Sequence, residues 1–167
     1  KYKKLRKDIH AERIKKMGVT DFIDDITERI YVLESNLKFY FLYDDVIETL
    51  EDLKTKNIKM GIVSNHFWNL DKIINNLKIA DFFEIILSSA QVGYRKPHHN
   101  IYKDAIKKMQ TTTDEALFIG DDLENDYYGP KQIGIDAILI DRKAEKKIKN
   151  SINSLKEIHT VVFNNQK

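Results

Sequence analysis

Cysteine is absent from the 167 residues, which excludes disulfides, thiolate nucleophiles and thiolate metal sites. Proline occurs twice and glycine six times, and no low-complexity tract divides the chain. Neither sign of charge is in excess. The formal net charge is +2 with 32% charged residues, so the composition makes no general case for nucleic-acid binding. No apolar run approaches membrane-spanning length. A methionine start is also missing, since residue 1 is Lys. With these classes set aside, a 42% hydrophobic content is enough for one ordinary core, or for one domain with a small appendage. The expectation is a soluble, cytoplasmic protein with no nucleic-acid or membrane partner.

The stretch that organises the rest is Leu117-Phe118-Ile119-Gly120-Asp121-Asp122-Leu123-Glu124-Asn125-Asp126. A short apolar run closed by Gly reads as a buried strand followed by a tight turn. Carboxylates at the carboxyl end of such a strand lie where open α/β sheets bind ligands. Hard oxygen ligands packed this closely suit Mg²⁺, which takes a few carboxylates and keeps several waters. The same residues also suit an acidic turn, because Asp is a good helix N-cap. On this stretch alone the two readings stand side by side.

Residues 1–17 place Tyr2, Leu5, Ile9, Ile14 and Met17 near helical spacing with Lys and Arg between them, which predicts an amphipathic helix with a basic outer face. Gly18 suits the position that ends it. Phe22, Ile23, Ile26, Ile30, Leu33 and Leu37 predict a second helix, completing a helical hairpin. Phe39, Tyr40, Phe41, Leu42 and Tyr43 form an aromatic connector expected to serve packing. From Asp44 onward, helices and strands alternate. Asp45 and Glu48 have capping-box spacing ahead of an inward stripe of Val46, Ile47, Leu50 and Leu53. Strands are expected at residues 59–63, 84–88, 116–119 and 137–140, with a last edge strand at 160–163. The helix with Ile101, Tyr102, Ala105, Ile106 and Met109 follows Pro97, which suits its first turn. Ser154 and Glu157 repeat the capping-box spacing before a short helix. This alternation argues for parallel βαβ units and a doubly wound parallel sheet. The domain reading is residues 1–43 as helical hairpin and connector and 44–167 as α/β core.

Three groups then fall on loops at a common sheet edge: Ser64-Asn65, Lys96, and Asp121-Asp122-Asp126. A hydroxyl with adjacent backbone N–H groups binds phosphate oxygens. Lys supplies a compact positive charge for the same oxygens. Carboxylates hold Mg²⁺, which offsets charge in a phosphoryl transition state. His66, Trp68, His98 and His99 lie close in sequence but are read as packing or surface residues, since this chemistry needs no imidazole.

At this point the chain resembles the haloacid dehalogenase (HAD) superfamily of hydrolases, in its branch with a helical cap. Gly61-Ile62-Val63-Ser64-Asn65 is similar to the second motif of that family, and Arg95-Lys96-Pro97 to the third. Gly120-Asp121-Asp122-Leu123-Glu124-Asn125-Asp126, running on to Gly129, Lys131 and Gly134, is similar to the fourth. The resemblance implies an α/β core over residues 44–163, with residues 1–38 as part of a cap. It implies that Ser64 binds the transferring phosphoryl group with help from the Asn65 backbone. Lys96 would neutralise the nucleophile and the phosphate. Asp121 would be the main Mg²⁺ ligand. Asp126 would bind Mg²⁺ through water or orient Lys96, and Asp122 is either a third ligand or a helix cap. The implied activity is Mg²⁺-dependent hydrolysis of a small phosphorylated metabolite through an aspartyl-phosphate.

The first motif of the family, an Asp-x-Asp-x-Thr-like signature after the first strand, is missing. Asp8 lies on the basic helix, Asp21, Asp24 and Asp25 open a helical pattern, and Asp44-Asp45 precede another. In the family that strand is central, between those ending at Ser64 and Asp121. Its absence would leave backbone groups unpaired along a buried edge. The expectation is therefore an N-terminally truncated chain, inactive as it stands because it lacks the nucleophile. The alternatives are a catalytically dead phosphate- or Mg²⁺-binding pseudoenzyme and a metal-independent dehalogenase of the same family. A receiver domain also combines acids, a hydroxyl and a Lys, but in a different chain order.

Overall fold

The computed structural model of the protein describes residues 2–146, 148 and 150–163. It forms two compact units, Lys1–Phe41 and Leu42–Lys167. In the first, α1 (Tyr2–Lys16) and α2 (Ile23–Ser35) pack on each other, and a 3₁₀ turn at Leu37–Phe39 follows, capped by Asn36. The seam between the helices differs from the expected apolar stripe. Arg6, His10, Ile14 and Thr27 are buried, whereas Leu5 and Met17 are exposed; the Tyr2 side chain lies outside the described ones. Positions 6, 10 and 14 share one helix face just as well as the apolar set does. Glu34 makes their burial tolerable by accepting from Arg6 at 2.6 Å and lying 2.9 Å from His10 Nε2. The aromatic connector departs in the same way, with Phe39, Phe41 and Tyr43 exposed.

The second unit opens with α3 (Val46–Thr55) and continues through β1 (Gly61–Ser64), α4 (Leu70–Asn76), β2 (Ile85–Ser88), the single turn α5 (Ser89–Val92) and α6 (His99–Met109). It then runs through β3 (Leu117–Gly120), a π-helical turn (Leu123–Tyr128), α7 (Gly129–Lys131), β4 (Asp136–Ile140), β5 (Ser151–Ile152) and α8 (Ile158–Phe163). β1 pairs parallel with β2, Ser64 opposite Ser88. β3, β4 and β5 form a second parallel sheet, with Gly120 opposite Leu139.

Alternation along the strands sends neighbouring side chains to opposite layers. Ile62 packs with Leu50, Leu70 and Ile74 of α3 and α4, while Val63 packs with Ile101 and Tyr102 of α6. Phe118 joins the α6 layer, and Ile119 joins Ile138, Ile152 and Ile158 on the other side. Leu53 of α3 touches the clusters of both sheets, and the α6 cluster reaches both Val63 and Phe118. Helices therefore cover both layers of a doubly wound parallel α/β fold. Each fully buried Ile or Leu in these layers contributes about 1.5–3 kcal/mol.

Among the described residues no strand stands between β1 and β3. The Met60 carbonyl accepts from Glu84 N–H on the β2 side, so alternation turns the Gly61 and Val63 carbonyls toward the opening. Three local expectations change. Asp45 makes no capping bond to α3; its carboxylate accepts instead from Arg142, Ser154 and Leu155. Pro97 precedes α6, whose N-cap is His98. Residues 160–163 are helical, because the box at Ser154 and Glu157 starts a 3₁₀ turn that runs on into α8. The terminal strand is β5 instead.

Candidate active site at the mouth of the sheet opening

Lys96 is the centre of the site. It lies in the loop before α6 and is 9% exposed. The Asn65 side chain, just past β1, grips the main chain of Lys96 twice. Asn65 Oδ1 accepts from the Lys96 N–H at 2.7 Å, and Asn65 Nδ2 donates to the Lys96 carbonyl at 2.9 Å. The Lys96 ammonium then donates to the Val63 carbonyl at 2.9 Å and to Asp126 Oδ1 at 2.6 Å. One cation thus ties the end of β1 to the turn after β3 and satisfies a carbonyl that faces the opening. The Phe118 ring lies beneath it, 5.2 Å from Nζ to the ring centroid.

The three aspartates of the acidic turn have three different fates. Asp126 is buried; its Oδ1 takes the Lys96 ammonium and its Oδ2 accepts from the Asp122 N–H at 3.1 Å. Gly120 is required by this contact, since a Cβ there would fall 2.4 Å from the Asp126 carboxyl carbon. Asp122 caps the π-helical turn, accepting from the N–H groups of Glu124 and Asn125 at 3.0 and 2.7 Å. Asp121 is exposed, and its carboxylate has no hydrogen-bond or ionic partner among the described residues; its carbonyl accepts from the Lys146 ammonium at 2.6 Å. Among the described residues no three His, Asp or Glu side chains come close enough to hold a metal ion.

Ser64 ends β1 directly after Val63, half-buried, and its carbonyl accepts from the His66 N–H at 2.8 Å in a tight turn. The second-motif residues and Lys96 are therefore brought together, and Asp126 with them, while Asp122 is committed to capping. The imidazoles take other roles. His98 caps α6 and stacks on Tyr94, and His99 pairs with Gln132 at 2.9 Å. The backbone role expected of Asn65 does not include the side-chain grip on Lys96. Tyr102, expected in the core, is buried there and its hydroxyl also donates to the Asn125 carbonyl at 2.6 Å. Burial and the carboxylates of Asp126, Asp122 and Glu124 push the Tyr102 hydroxyl far above its ordinary pKa, so it remains a donor.

The family model "Haloacid dehalogenase-like hydrolase" matches residues 2–140. The glyceraldehyde 3-phosphate phosphatase of Methanothermobacter thermautotrophicus is 32% identical over 111 residues, covering 63% of this chain and 48% of that protein. The human haloacid dehalogenase-like hydrolase domain-containing protein 3 is 25% identical over 135 residues, 80% of this chain and 54% of that protein. The chain thus spans about half the length of the curated relatives it matches. In fold it is similar to the putative HAD-hydrolase YfnB of Bacillus subtilis, with a TM-score of 0.76, 19% identity, and coverage of 98% of this chain and 73% of that one. The parallel layers, the motif order and the family match over most of the chain together make this protein a member of the haloacid dehalogenase-like hydrolase family.

Proposed function

We propose that this chain carries the phosphate-binding and electrostatic half of a phosphomonoester hydrolase. The observation that carries the reading is the placement of Lys96. Its ammonium is buried and bonded to the Val63 carbonyl and Asp126, with Asn65 holding its main chain, at the mouth of the opening between β1 and β3, one residue from Ser64. A buried cation beside an open sheet edge is arranged to stabilise negative charge that arrives from outside. Asp126 holds it there at 2.6 Å.

In this reading Ser64 binds the transferring phosphoryl group, with the Asn65 backbone beside it. Lys96 neutralises the attacking carboxylate and the phosphate. That carboxylate belongs to no residue of this chain, so these 167 residues are inactive alone. A strand carrying it and lying between β1 and β3 would also pair their open edges. Asp121, with both carboxylate oxygens uncommitted among the described residues, suits Mg²⁺, which binds through one or two carboxylates plus water and phosphate oxygens. Bound there, Mg²⁺ would offset charge on the phosphoryl oxygens. Asp126 acts through Lys96, and Asp122 by shaping the turn. The relatives named as phosphatases of a small sugar phosphate support a small phosphorylated metabolite as substrate.

The test joins an N-terminal strand bearing Asp-x-Asp-x-Thr to this chain and assays a generic phosphoester with Mg²⁺. Turnover is expected from the joined protein and none from the chain alone. A folded joined protein without turnover would exclude the hydrolase reading. Retained binding of inorganic phosphate would then favour a non-catalytic binding module.

A further inference from the structure

The turn after β3 contains a missing hydrogen bond that the sequence itself creates. In the π-helical stretch Leu123–Tyr128 each carbonyl looks five residues ahead, and the Gly129 N–H donates to the Glu124 carbonyl accordingly. The next acceptor is the Asn125 carbonyl, and its donor would be residue 130. Residue 130 is Pro and has no N–H. A buried carbonyl without a donor is costly. The Tyr102 hydroxyl supplies the bond, at 2.6 Å, from a side chain with no exposed surface. The approach is possible because residue 129 is Gly; a Cβ there would lie 2.2 Å from the Tyr102 oxygen.

Tyr102, Gly129 and Pro130 therefore operate as one device. Asn125 immediately precedes Asp126, and Tyr102 sits on α6, the helix that follows the Lys96 loop. We infer that Tyr102 is a positioning residue: its hydroxyl locks the Asp126 turn onto the helix that follows Lys96, and so sets the geometry of the Lys96–Asp126 pair. Its importance for catalysis rests on the role proposed above for Lys96, but its geometry does not. The raised pKa of the phenol keeps the donor intact across the range in which the protein is handled.

The test uses the whole chain without substrate, so its outcome is independent of phosphatase activity. The slowly exchanging ¹⁵N ammonium signal of Lys96, assigned with Lys96→Met, reports the pair, and amide exchange at Asp122 reports the bond to Asp126. Tyr102→Phe keeps the ring and removes the donor. It should broaden away the Lys96 signal and speed Asp122 exchange roughly tenfold, the effect of one lost hydrogen bond. A role in packing alone would leave both readouts unchanged while shifting the methyl signals of Ile101 and Ile135, and that result would overturn the inference. Gly129→Ala should give the same loss by displacing the hydroxyl. In Tyr102→Phe/Gly129→Ala the Asp122 amide should exchange no faster than in Tyr102→Phe alone, because both changes remove the same hydrogen bond. Simple additivity of the two exchange effects would also overturn it, and where Gly129→Ala folds poorly the two readouts of Tyr102→Phe decide by themselves.

Discussion

Among the described residues, two ion pairs that bury their carboxylates, Asp45–Arg142 and Lys96–Asp126, tie the α/β unit, and they differ in how completely they are closed. Asp45 receives both Arg142 guanidinium nitrogens at 2.8 and 3.0 Å, the Ser154 hydroxyl at 2.7 Å and the Leu155 N–H at 2.8 Å. Its carboxylate is saturated, and it fastens the start of α3 to the segment around Ser154. Among the described residues Asp126 receives only Lys96 and the Asp122 N–H, and its cation faces an open sheet edge. A carboxylate surrounded by donors has its charge spent on stability. A pair with fewer partners beside an opening has charge left for a ligand. On the proposed function, the same chemistry serves architecture in one place and ligand binding in the other.

Replacing whole pairs would sharpen this contrast most. In the strand-joined protein, Lys96→Met with Asp126→Leu should lower phosphoester turnover roughly 10³-fold, as expected for loss of a preorganised charge. Its stability should move by only about 1 kcal/mol, because an apolar pair can replace a buried ion pair at little cost. Unfolding in urea, followed by Trp68, the sole tryptophan, would measure this in the α/β unit. The opposite profile is expected at the other pair. Asp45→Ala strands a guanidinium, a hydroxyl and an amide, and should cost about 3 kcal/mol while leaving the Lys96 ammonium signal in place. Equal stability losses at both pairs would erase the distinction.

A pH series separates the pairs more finely. The Arg142 guanidinium holds the Asp45 carboxyl well below the usual carboxylate range, working against burial and helped by Ser154 and Leu155. A depressed pKa means that the unfolded chain binds the proton first. The stabilisation from Asp45 is therefore complete above about pH 4, the unfolded value, and fades as pH falls toward the lower native pKa. Asp45→Asn should flatten the acid limb of the stability curve. An unchanged slope below pH 4 in that variant would place the acid sensitivity elsewhere. The smallest effect is expected at Asn65. Asn65→Ala removes two hydrogen bonds to the Lys96 main chain, and should cost about 1–2 kcal/mol while raising the phosphoester KM of the joined protein.

Much of the architecture is visible in the chain itself. Ile62 and Val63, or Phe118 and Ile119, announce strands buried on both faces, and Leu70, Ile73 and Ile74 announce the helix between. Lys96 and the Asp121–Asp126 turn are likewise found from residue type and order. The two helices of the hairpin follow from the pattern, but their packed face does not, because two face assignments at the same spacing compete and Glu34 across the seam favours the polar one. The Asp45 box failed for a related reason: Arg142, almost a hundred positions away, claims the carboxylate that local spacing offered to the helix.

What the sequence determined alone is whatever depends on covalent identity and short-range spacing. It includes the alternation that makes a parallel α/β sheet, the absent cysteine and Asp-x-Asp, and the Pro130 that cannot donate. What only the tertiary structure decided is which partner each polar group receives. Asp122 became a cap, Asp126 a counterion and Asp121 an exposed carboxylate, though all three lie within six residues of one another. The reason is physical. A carboxylate takes the strongest donors that come within about 3 Å: Asp122 finds them in the N–H groups just ahead of it, whereas the Lys96 ammonium reaches Asp126 from a loop 30 positions away along the chain.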